Sequence, residues 1–446
     1  MSISESIFPR ILSICLLIFI IGSCQSTSQS LEVQAEEIAD VMAAMTDIMV
    51  HDVTNPPLAS RFFAYTCLSG AEVMRGFSPR IDTLLQKVNA YPRLQIYTTD
   101  LKQVHPQLAA LYAMYLTASK LQPSGFELEE NLQALSQRYI EKGLSKNTIE
   151  ASLAYGREAS KTVLAYAALD RYNQTSNSVR YTPSDFPGSW YPTPPGYFPP
   201  VEPYFGTLRP FLLDTVIQIT VPVPVPYAED EDSPFFLMMR EVYELELDQE
   251  KKEIASFWDC NPFALEDKGH LMIGLKKISP GAHWVGIANI AIKDAGLDFA
   301  DALEINTALS LTMHDAFLSC WREKYSSNRI RPETAIRKLL DPKYVPLLQT
   351  PPFPEYLSGH SVVSTASAVL LTSYFGDNFA YTDTVEVKYG LEARSFQSFE
   401  SAAAEASISR LYGGIHFRDA IEEGQNQGRA VGQYAVQKID PPLLIK

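Results

Sequence analysis

Apolar residues recur at helical spacing along most of this chain, and one long proline- and aromatic-rich segment at 174–234 interrupts them. Such spacing puts the apolar side chains of a helix on one face, so most of the sequence can form a core only as packed helices. We expect helices over 31–53, 58–76, 101–121, 127–171 with a break near residue 143, 235–256, 282–295, 300–323, 361–375, 391–410 and 417–437. The sequence therefore predicts an all-α fold of helical bundles.

The segment at 174–234 interrupts the helices because proline removes a backbone donor and blocks the helical conformation. Prolines alternate there with aromatic residues, as in Trp190-Tyr191-Pro192. We expect an ordered loop that packs across the helices, with a binding surface as the alternative. The chain then has four parts: a lipoprotein signal peptide at 1–23, an N-terminal helical bundle at 24–173, the connecting segment at 174–234 and a C-terminal helical bundle at 235–446.

The first residues have the features of an export signal. Arg10 precedes an apolar run at 11–21 that is too short for a permanent transmembrane helix. The sequence Ile21-Gly22-Ser23-Cys24 resembles the lipobox of bacterial lipoproteins, in which the cysteine is lipidated. We expect export to the outer membrane, periplasm or cell surface, with membrane contact only through a lipid anchor at Cys24. An ordinary secretory signal is the alternative.

Charge and cysteine content narrow the function further. The formal net charge of −15 argues against nucleic acid as a partner, because binding to a phosphate backbone needs a basic surface. Beyond the signal and Cys24, the chain retains Cys67, Cys260 and Cys320. Their spacing is not that of a metal site, and three thiols allow at most one disulfide, so we expect buried free thiols.

Against this acidic background, three short motifs in the C-terminal half combine cations, histidines and small polar residues. The first motif is Lys324, followed seven residues later by Arg331-Pro332. Seven residues are nearly two helical turns, so we expect both cations on one helix face, with Pro332 ending or kinking that helix. A guanidinium can bind two oxygens of an oxyanion, and a lysine adds a point charge.

The second motif, Ser358-Gly359-His360, comes just before an apolar helix. A helix N-terminus carries unpaired N–H groups that bind anions, glycine permits close approach, and the Ser358 hydroxyl can donate to a further oxygen. His360 would lie beside the anion, where it could act as a general acid or base. Taken alone, the tripeptide fits a plain helix cap better than an anion site.

The third motif is Ser409-Arg410 with His416, separated by Gly413-Gly414. The glycines break the helix, so Arg410 ends one helix and His416 opens the next, and both can converge on one point. His416 could reach the central atom of an anion as a nucleophile toward phosphorus or as a ligand to a metal. Together the three motifs predict a cage for a tetrahedral oxyanion.

In order and spacing, the motifs resemble the signature shared by vanadium-dependent haloperoxidases and type 2 phosphatidic acid phosphatases, and the sequence around His416 most resembles the bacterial haloperoxidases. The resemblance implies a vanadate cofactor, with hydrogen peroxide and a halide, iodide first, as substrates. It implies that a neutral His416 binds vanadium and that His360 contacts the apical oxygen and assists proton transfer. The residues implied to hold the vanadate oxygens are Lys324, Arg331, Ser358, Gly359 and Arg410.

Three further residues are expected near the cage. Trp321 lies three residues before Lys324 on nearly the same helix face, and Phe353 would form an apolar wall near the halide. The related phosphatases place an aspartate four residues after the histidine, where this chain has Ala420. Asp419, one residue earlier, is expected to pair with His416 or with a cage arginine, and this shift weighs mildly against a phosphatase.

Two other functions remain open from the sequence. A phosphatase would use His416 as nucleophile, because vanadate and phosphate are alike in shape and charge. A non-enzymatic lipoprotein would instead bind a ligand through the aromatic segment at 174–234. Gly424 and Gly428 are expected to permit helix packing. The remaining histidines form no close pair at ligand spacing and are expected in the core or on the surface: His51, His105, His270, His283 and His314.

Overall fold

The computed structural model describes residues 34–92, 100–175, 177–267 and 272–445, which belong to one compact unit, Val33–Lys446. The expected signal peptide, Cys24 and His270 lie outside the described residues, and the expected division at 173 and 234 stays a prediction. The helices are α1 (Glu36–His51), α2 (Pro56–Met74), α3 (Pro79–Lys87), α4 (Pro106–Leu121), α5 (Glu129–Glu141), α6 (Lys146–Ala167), α7 (Tyr172–Thr175), α8 (Pro234–Glu244), α9 (Gln249–Phe257), α10 (Pro280–Asp294), α11 (Phe299–Ser327), α12 (Pro332–Leu339), α13 (Gly359–Phe375), α14 (Phe399–Tyr412) and α15 (Arg418–Ile439).

Within the described ranges, strands are confined to two short antiparallel hairpins, so the all-α prediction is confirmed. Strand β1 (Leu265–Asp267) pairs with β2 (Met272–Gly274), and β3 (Tyr381–Asp383) pairs with β4 (Arg394–Phe396). Among the described helices, none combines the length and apolarity that a membrane crossing requires.

Helix α11 lies at the centre of the helical packing. Every residue from 302 to 321 is buried, and the helix contacts α2 on one side and α10, α13 and α15 on the others. Asp298 caps its N-terminus by accepting a hydrogen bond from the Asp301 amide at 2.9 Å. Polar side chains within this buried stretch need internal partners, and the hydroxyls of Thr307 and Thr312 donate to carbonyls of the preceding turn. Lys324 lies in the last turn of α11, close to the other two motifs.

Glycines at helical spacing let α15 pack closely on α13. A Cβ atom at Gly424 would lie 2.9 Å from the Ser361 Cβ, and one at Gly428 would overlap the carbonyl oxygen of Val362. A Cβ at Gly432 would meet α13 in the same way, at 2.8 Å from a side-chain carbon. The packing role expected for Gly424 and Gly428 agrees with these distances.

The segment at 174–234 packs across α11, as expected. Trp190 is fully buried, and its backbone N–H donates to the carbonyl of Asn328 at 2.8 Å, just past the end of α11. Asp315 in α11 accepts three backbone hydrogen bonds from residues 211–213, each at 2.7 Å. These parts of the loop can therefore be buried without helix or sheet, because the Asp315 side chain and the Asn328 carbonyl accept from their backbone donors.

The prediction that Lys324 and Arg331 share one helix was wrong. Helix α11 ends at Ser327, and Asn328 takes a left-handed conformation with a φ of 49°. Arg331 is the extended N-cap of α12, and Pro332 begins that helix. Proline disrupts a helix interior, but it is well suited to the first helical position, where its missing N–H would have no partner anyway.

Two more helix boundaries differ from the prediction. The helix expected over 391–410 begins only at Phe399, after β4, and Ser398 caps it by accepting from the Ser401 amide. The helix expected over 235–256 is divided into α8 and α9, and Asp248 caps α9. In both places a local capping residue restarts the helix, a signal that apolar periodicity does not contain.

Candidate active site

The three motifs meet where the C-terminal ends of α11 and α14 approach the N-terminus of α13. Gly359, His360, Arg410 and His416 line one pocket, and Arg331 hydrogen-bonds His416 beside it. We call this group the cage, defined by Lys324, Arg331, Ser358, Gly359, His360, Arg410 and His416. Its cations are almost completely buried in a chain whose net charge is −15. The cage is therefore locally positive, although the chain as a whole is negatively charged.

Lys324 is fully buried, and its hydrogen-bond acceptors are carbonyl oxygens. Its Nζ donates to Pro354 and Glu355 carbonyls, both at 3.1 Å, and to the carbonyl of Leu357. Burial, with a smaller contribution from nearby Arg331, lowers the pKa of Lys324 to about 7. Because carbonyl dipoles compensate a buried cation less well than a carboxylate does, an anion in the cage would stabilise the charged form.

Arg331 uses part of its guanidinium to hold the cage wall together. Its Nε donates to the Phe353 carbonyl at 2.9 Å, and its Nη1 donates to the Ile415 carbonyl at 3.0 Å. Burial lowers the pKa of Arg331 to about 10, so it remains a cation at neutral pH. Its buried Nη2 has no hydrogen-bond partner among the described residues. A buried N–H group left in this state is costly, and an anionic oxygen would satisfy it.

Arg410 approaches the cage from the last turn of α14. Its Nε donates to the Ser409 hydroxyl at 2.9 Å, and its Nη2 donates to the carbonyl of Trp258 at 2.6 Å. Burial lowers the pKa of Arg410, and the carboxylate of Asp259 offsets this only in part. Arg410 is therefore a further buried cation whose direct partners are neutral.

His416 is held as a neutral imidazole with a defined tautomer. Its Nδ1 lies 2.8 Å from Glu355 Oε1, and its Nε2 lies 3.1 Å from Arg331 Nη1. Burial, together with Arg331, Lys324 and Arg410, lowers the pKa of His416 well below its ordinary value. A guanidinium can only donate, so Nε2 accepts and Nδ1 carries the hydrogen that Glu355 accepts. Nε2 is thus the unprotonated nitrogen that a metal ligand requires, and a metal bound there would replace the hydrogen bond from Arg331 Nη1.

Glu355 is the functional residue that sequence reasoning missed. It is fully buried, and it also accepts from the Phe417 amide at 3.0 Å and from Arg329 Nε at 2.6 Å. Asp419, expected to pair with His416 or a cage arginine, instead binds Arg329 through two hydrogen bonds of 2.5 and 2.6 Å. Asp419 therefore reaches the cage only through Arg329 and Glu355. In the sequence, Glu355 is an isolated acidic residue in a proline-rich loop. It lies 61 residues from His416, so sequence spacing does not connect the two.

The N-terminus of α13 forms another side of the cage. The Ser358 Oγ caps this helix by accepting from the Ser361 amide at 3.3 Å and from the Ser361 hydroxyl at 2.9 Å. Its own hydrogen is then available to donate to a ligand. The N–H groups of Gly359 and His360 belong to the first turn, before intrahelical hydrogen bonds begin. This helix end can therefore bind an anion as the second motif predicted.

His360 is also a neutral imidazole. Burial, Arg410 and His416 lower its pKa well below the ordinary value, and its ring hydrogen-bonds the backbone of Trp258. Its Nε2 is buried and has no hydrogen-bond partner within the part of the chain that the structure describes. A neutral ring fixed through one nitrogen leaves the other free to accept a proton, as a general base requires.

Trp321 and Phe353 form the expected apolar wall. Their ring centroids are 4.9 Å apart, and both rings line the pocket. Lys324 Nζ lies 5.0 Å from the centre of the Phe353 ring, and the Arg331 guanidinium lies 5.1 Å from it. The aromatic face therefore contacts two cage cations while its apolar body excludes water from one side.

The fold and the cage define a class: a helical protein in which buried cations and a neutral histidine surround a site suited to a tetrahedral oxyanion. A family model described as the VCPO second helical-bundle domain matches residues 304–442. Among solved structures, a bacterial vanadium-dependent iodoperoxidase is 40% identical, with a TM-score of 0.83 over 92% of this chain and 97% of that one. This chain belongs to the vanadium-dependent haloperoxidase family, which confirms the resemblance inferred from the three motifs.

Two further solved structures share the fold. They are the holo and apo forms of a bacterial vanadium-dependent chloroperoxidase, each 15% identical to this chain over 87% of its length. Their TM-scores are 0.63 and 0.61, and the matches cover 93% and 95% of those chains. No curated protein sequence matches this chain.

Proposed function

We propose that this protein is a vanadium-dependent haloperoxidase that oxidises a halide with hydrogen peroxide to a hypohalous species. The observation that carries the proposal is His416, a neutral imidazole whose Nε2 lone pair faces the buried cations. Family membership supports the same reaction. Iodide is proposed as the preferred halide because the relative with 40% identity is an iodoperoxidase, and because iodide is the easiest of the halides to oxidise.

The donor set of the cage fits vanadate. Arg331 Nη2 is a buried donor without a partner among the described residues, the Ser358 hydrogen is available, and the first turn of α13 offers backbone N–H groups. His416 Nε2 would bind the vanadium, and the cations would hold its oxygens. When bound, vanadate supplies a Lewis acid that activates hydrogen peroxide, and the oxidation state of the vanadium does not change.

The chain's own residues position charge and move protons. The positive charges of Lys324, Arg331 and Arg410 would stabilise negative charge on the oxygen atoms of the bound oxyanion. His360 Nε2 would accept a proton from hydrogen peroxide and hold it beside the vanadate oxygens, a role that requires its neutral state. Trp321 and Phe353 keep bulk water from one side of the site, which strengthens the electrostatic interactions inside it.

A vanadium-depleted preparation tests the reaction directly. Iodide and bromide oxidation by peroxide is measured with and without orthovanadate, and we expect activity only with vanadate and a higher rate with iodide. His416→Ala is expected to lose activity at least ~100-fold because it removes the bond to the metal. His360→Ala is expected to lose about 10²- to 10⁴-fold through loss of proton transfer. His51→Ala, at an exposed histidine, is the matched control and is expected to keep full activity.

Phosphate-ester hydrolysis in the same preparation tests the alternative. The position of Ala420 no longer argues against a phosphatase, because Glu355 supplies the carboxylate that orients His416. Hydrolysis that vanadate inhibits, without halide oxidation, would replace this proposal by a phosphatase with His416 as nucleophile. Neither activity in a folded protein would leave a non-enzymatic lipoprotein.

We also propose that the protein is exported and anchored through a lipid on Cys24. The support is the sequence alone: Arg10, the apolar run at 11–21 and the resemblance of residues 21–24 to a lipobox. Expression in bacteria with labelled palmitate should label the wild type, and Cys24→Ala should abolish the label and move the protein to the soluble fraction. A wild type that is exported without label would leave the ordinary secretory signal as the explanation.

A further inference from the structure

A second group of metal-binding side chains lies next to the cage. The three cysteines of the described chain are buried and free, as predicted, and Cys260 packs against a histidine and a carboxylate. Its Sγ lies 3.5 Å from His283 Nδ1 and 3.8 Å from Glu386 Oε1, and these two atoms lie 3.5 Å from each other. We call Cys260, His283 and Glu386 the thiol–imidazole cluster.

The cluster is assembled from three separate elements. Cys260 follows α9, His283 lies in the first turns of α10, and Glu386 lies in the short 3₁₀ helix Val385–Tyr389. Their side chains are nearly inaccessible, and the ring of Trp258 stacks on His283 with 4.7 Å between centroids. Ligand spacing along the sequence could not reveal a site of this kind.

The distances match those of tetrahedral zinc. Zn–S, Zn–N and Zn–O bonds of about 2.3, 2.0 and 2.1 Å at tetrahedral angles place the ligand atoms about 3.3 to 3.6 Å apart. The three separations in the cluster are 3.5, 3.5 and 3.8 Å. The side chains therefore need to move by only a few tenths of an ångström to share one ion.

The environment of His283 supports the same interpretation. Its Nε2 lies 2.8 Å from Asp383 Oδ2, and Asp383 is itself fixed by the amide of Val385 at 2.9 Å. Metal-binding histidines commonly donate their second N–H to a carboxylate in this way, which orients the other nitrogen toward the ion. A doubly protonated His283 that pairs with Asp383 through Nε2 and with Glu386 through Nδ1 is the alternative without a metal, and the metal analysis below distinguishes the two.

Charge balance also favours an ion at this position. The two acidic groups of the cluster, Cys260 and Glu386, are both buried beside His283. One divalent cation with one thiolate and one carboxylate has no net charge, so the ionised side chains would be neutralised within the same buried site.

We propose that the thiol–imidazole cluster binds one Zn²⁺ through Cys260 Sγ, His283 Nδ1 and the Glu386 carboxylate, with a water in the fourth position. A mixed sulfur, nitrogen and oxygen ligand set in tetrahedral geometry is typical of Zn²⁺. Binding requires the thiol to lose its proton and His283 to keep only the hydrogen that faces Asp383. Cys260 also lines the cage pocket.

The zinc would fix one wall of the cage. The residues before Cys260 carry the Trp258 carbonyl, which accepts from Arg410 Nη2 at 2.6 Å, and the Trp258 backbone also hydrogen-bonds the His360 ring. Holding residues 258–260 in place therefore holds both of these cage side chains. This makes the cluster a positioning site, separate from the place where vanadate would bind.

Metal analysis of the full chain, produced in vanadium-free medium with added zinc and purified without chelator, tests the proposal. We expect about one zinc per chain in the wild type, as for a structural zinc site. Cys260→Ser is expected to lower zinc affinity at least ~10-fold. Cys67→Ser removes a buried thiol whose contacts are Ser310 and Met42, outside the cluster, and is expected to keep the zinc.

Cobalt substitution keeps the test decisive if Cys260→Ser does not fold. Wild-type protein stripped of zinc and loaded with Co²⁺ is expected to show a thiolate-to-cobalt charge-transfer band and tetrahedral ligand-field bands. A wild type that retains no zinc and shows no such band would overturn the proposal and leave a buried imidazole–carboxylate pair. Equal zinc affinity in folded Cys260→Ser and Cys67→Ser, measured by competition with a chelator, would also overturn it. Neither readout depends on haloperoxidase activity.

Discussion

At the scale of single residues, this protein treats its buried cations in two different ways. Burial disfavours the charge of Arg329, but Glu355 and Asp419 more than offset this and raise its pKa. Lys324 and Arg331 are bound mainly by carbonyl groups, and burial lowers the pKa of both. Arg329 is therefore already neutralised and serves to position Glu355. The charges of Lys324 and Arg331 remain incompletely compensated, so both side chains are suited to an anionic ligand.

The first prediction concerns the carboxylate that orients His416. Glu355→Gln is expected to lower vanadate affinity by ~10- to 100-fold, because an amide holds the Nδ1–H less strongly and makes Nε2 a weaker ligand. Asp419→Asn is the matched control, since it also removes one carboxylate from Arg329 without contacting His416. Vanadate titration of the depleted proteins measures both. Equal losses would mean that Glu355 acts only through Arg329.

The second prediction follows from the pKa of Lys324, which burial lowers to about 7 from an ordinary value of 10.5. Between these two pH values the unfolded chain binds a proton at Lys324 that the folded protein does not, so stability rises with pH. Without vanadate, the free energy of unfolding of the wild type relative to Lys324→Met is expected to rise by up to about 1.4 kcal/mol per pH unit above about pH 7. Denaturant unfolding across this range measures it, and a flat difference between the two proteins would contradict it.

At the scale of secondary-structure elements, the site is built from the ends of helices. Lys324 and Arg410 lie in the last turns of α11 and α14, and Arg331 and Ser358 are the N-caps of α12 and α13. The N-terminus of α13 adds unpaired N–H groups and positive partial charge to the side-chain cations. The close packing of α15 on α13 holds the N-terminus of α13 in this arrangement.

The third prediction tests that packing. Glycine to alanine inside a helix usually stabilises by about 1 kcal/mol, but a Cβ at Gly428 would overlap the Val362 carbonyl. The overlap with this backbone atom is expected to outweigh the gain in helix propensity. Gly428→Ala should therefore lower the free energy of unfolding by about 1 to 3 kcal/mol. Asn426→Ala, at an exposed position of the same helix, should change it by less than about 0.5 kcal/mol. Comparable stability of the two variants would mean that α13 and α15 can separate without cost.

At the scale of the whole molecule, the charge of the chain opposes the charge of its cage. The net charge of −15 repels anions at long range, while the buried cations attract them at short range. Screening by salt acts strongly on the exposed charges and weakly on the buried ones. Added salt should therefore help the proposed anionic substrates to reach the site.

The fourth prediction uses this difference. As ionic strength rises from about 10 to about 150 mM with nitrate as the salt, the Debye length falls from about 30 to about 8 Å. The KM for iodide is expected to fall about twofold or more, while the KM for uncharged hydrogen peroxide stays constant. Steady-state kinetics at fixed vanadate saturation measures both constants. A KM for iodide that rises with salt would show that exposed cations attract it.

Much of the fold was readable from local sequence, because apolar periodicity and proline position act within a few residues. The α2, α4, α10 and α11 regions and the loop at 174–234 were expected close to where they occur. The errors came at boundaries, as where Pro332 begins a helix that it was expected to end. Proline occurs both at the first position of a helix and at a break inside one, and the residues around it decide which of the two occurs.

The sequence by itself determined the chemical content of the cage, because Lys324, the second motif and His416 lie in short patterns whose residue types already specify oxyanion binding. The tertiary structure decided which groups complete that content. Glu355 reaches His416 across 61 residues, and Cys260, His283 and Glu386 converge from three elements. The physical reason is that hydrogen bonds and metal bonds depend on distances of about 3 Å in space, and the packing of elements that are remote in the chain sets those distances.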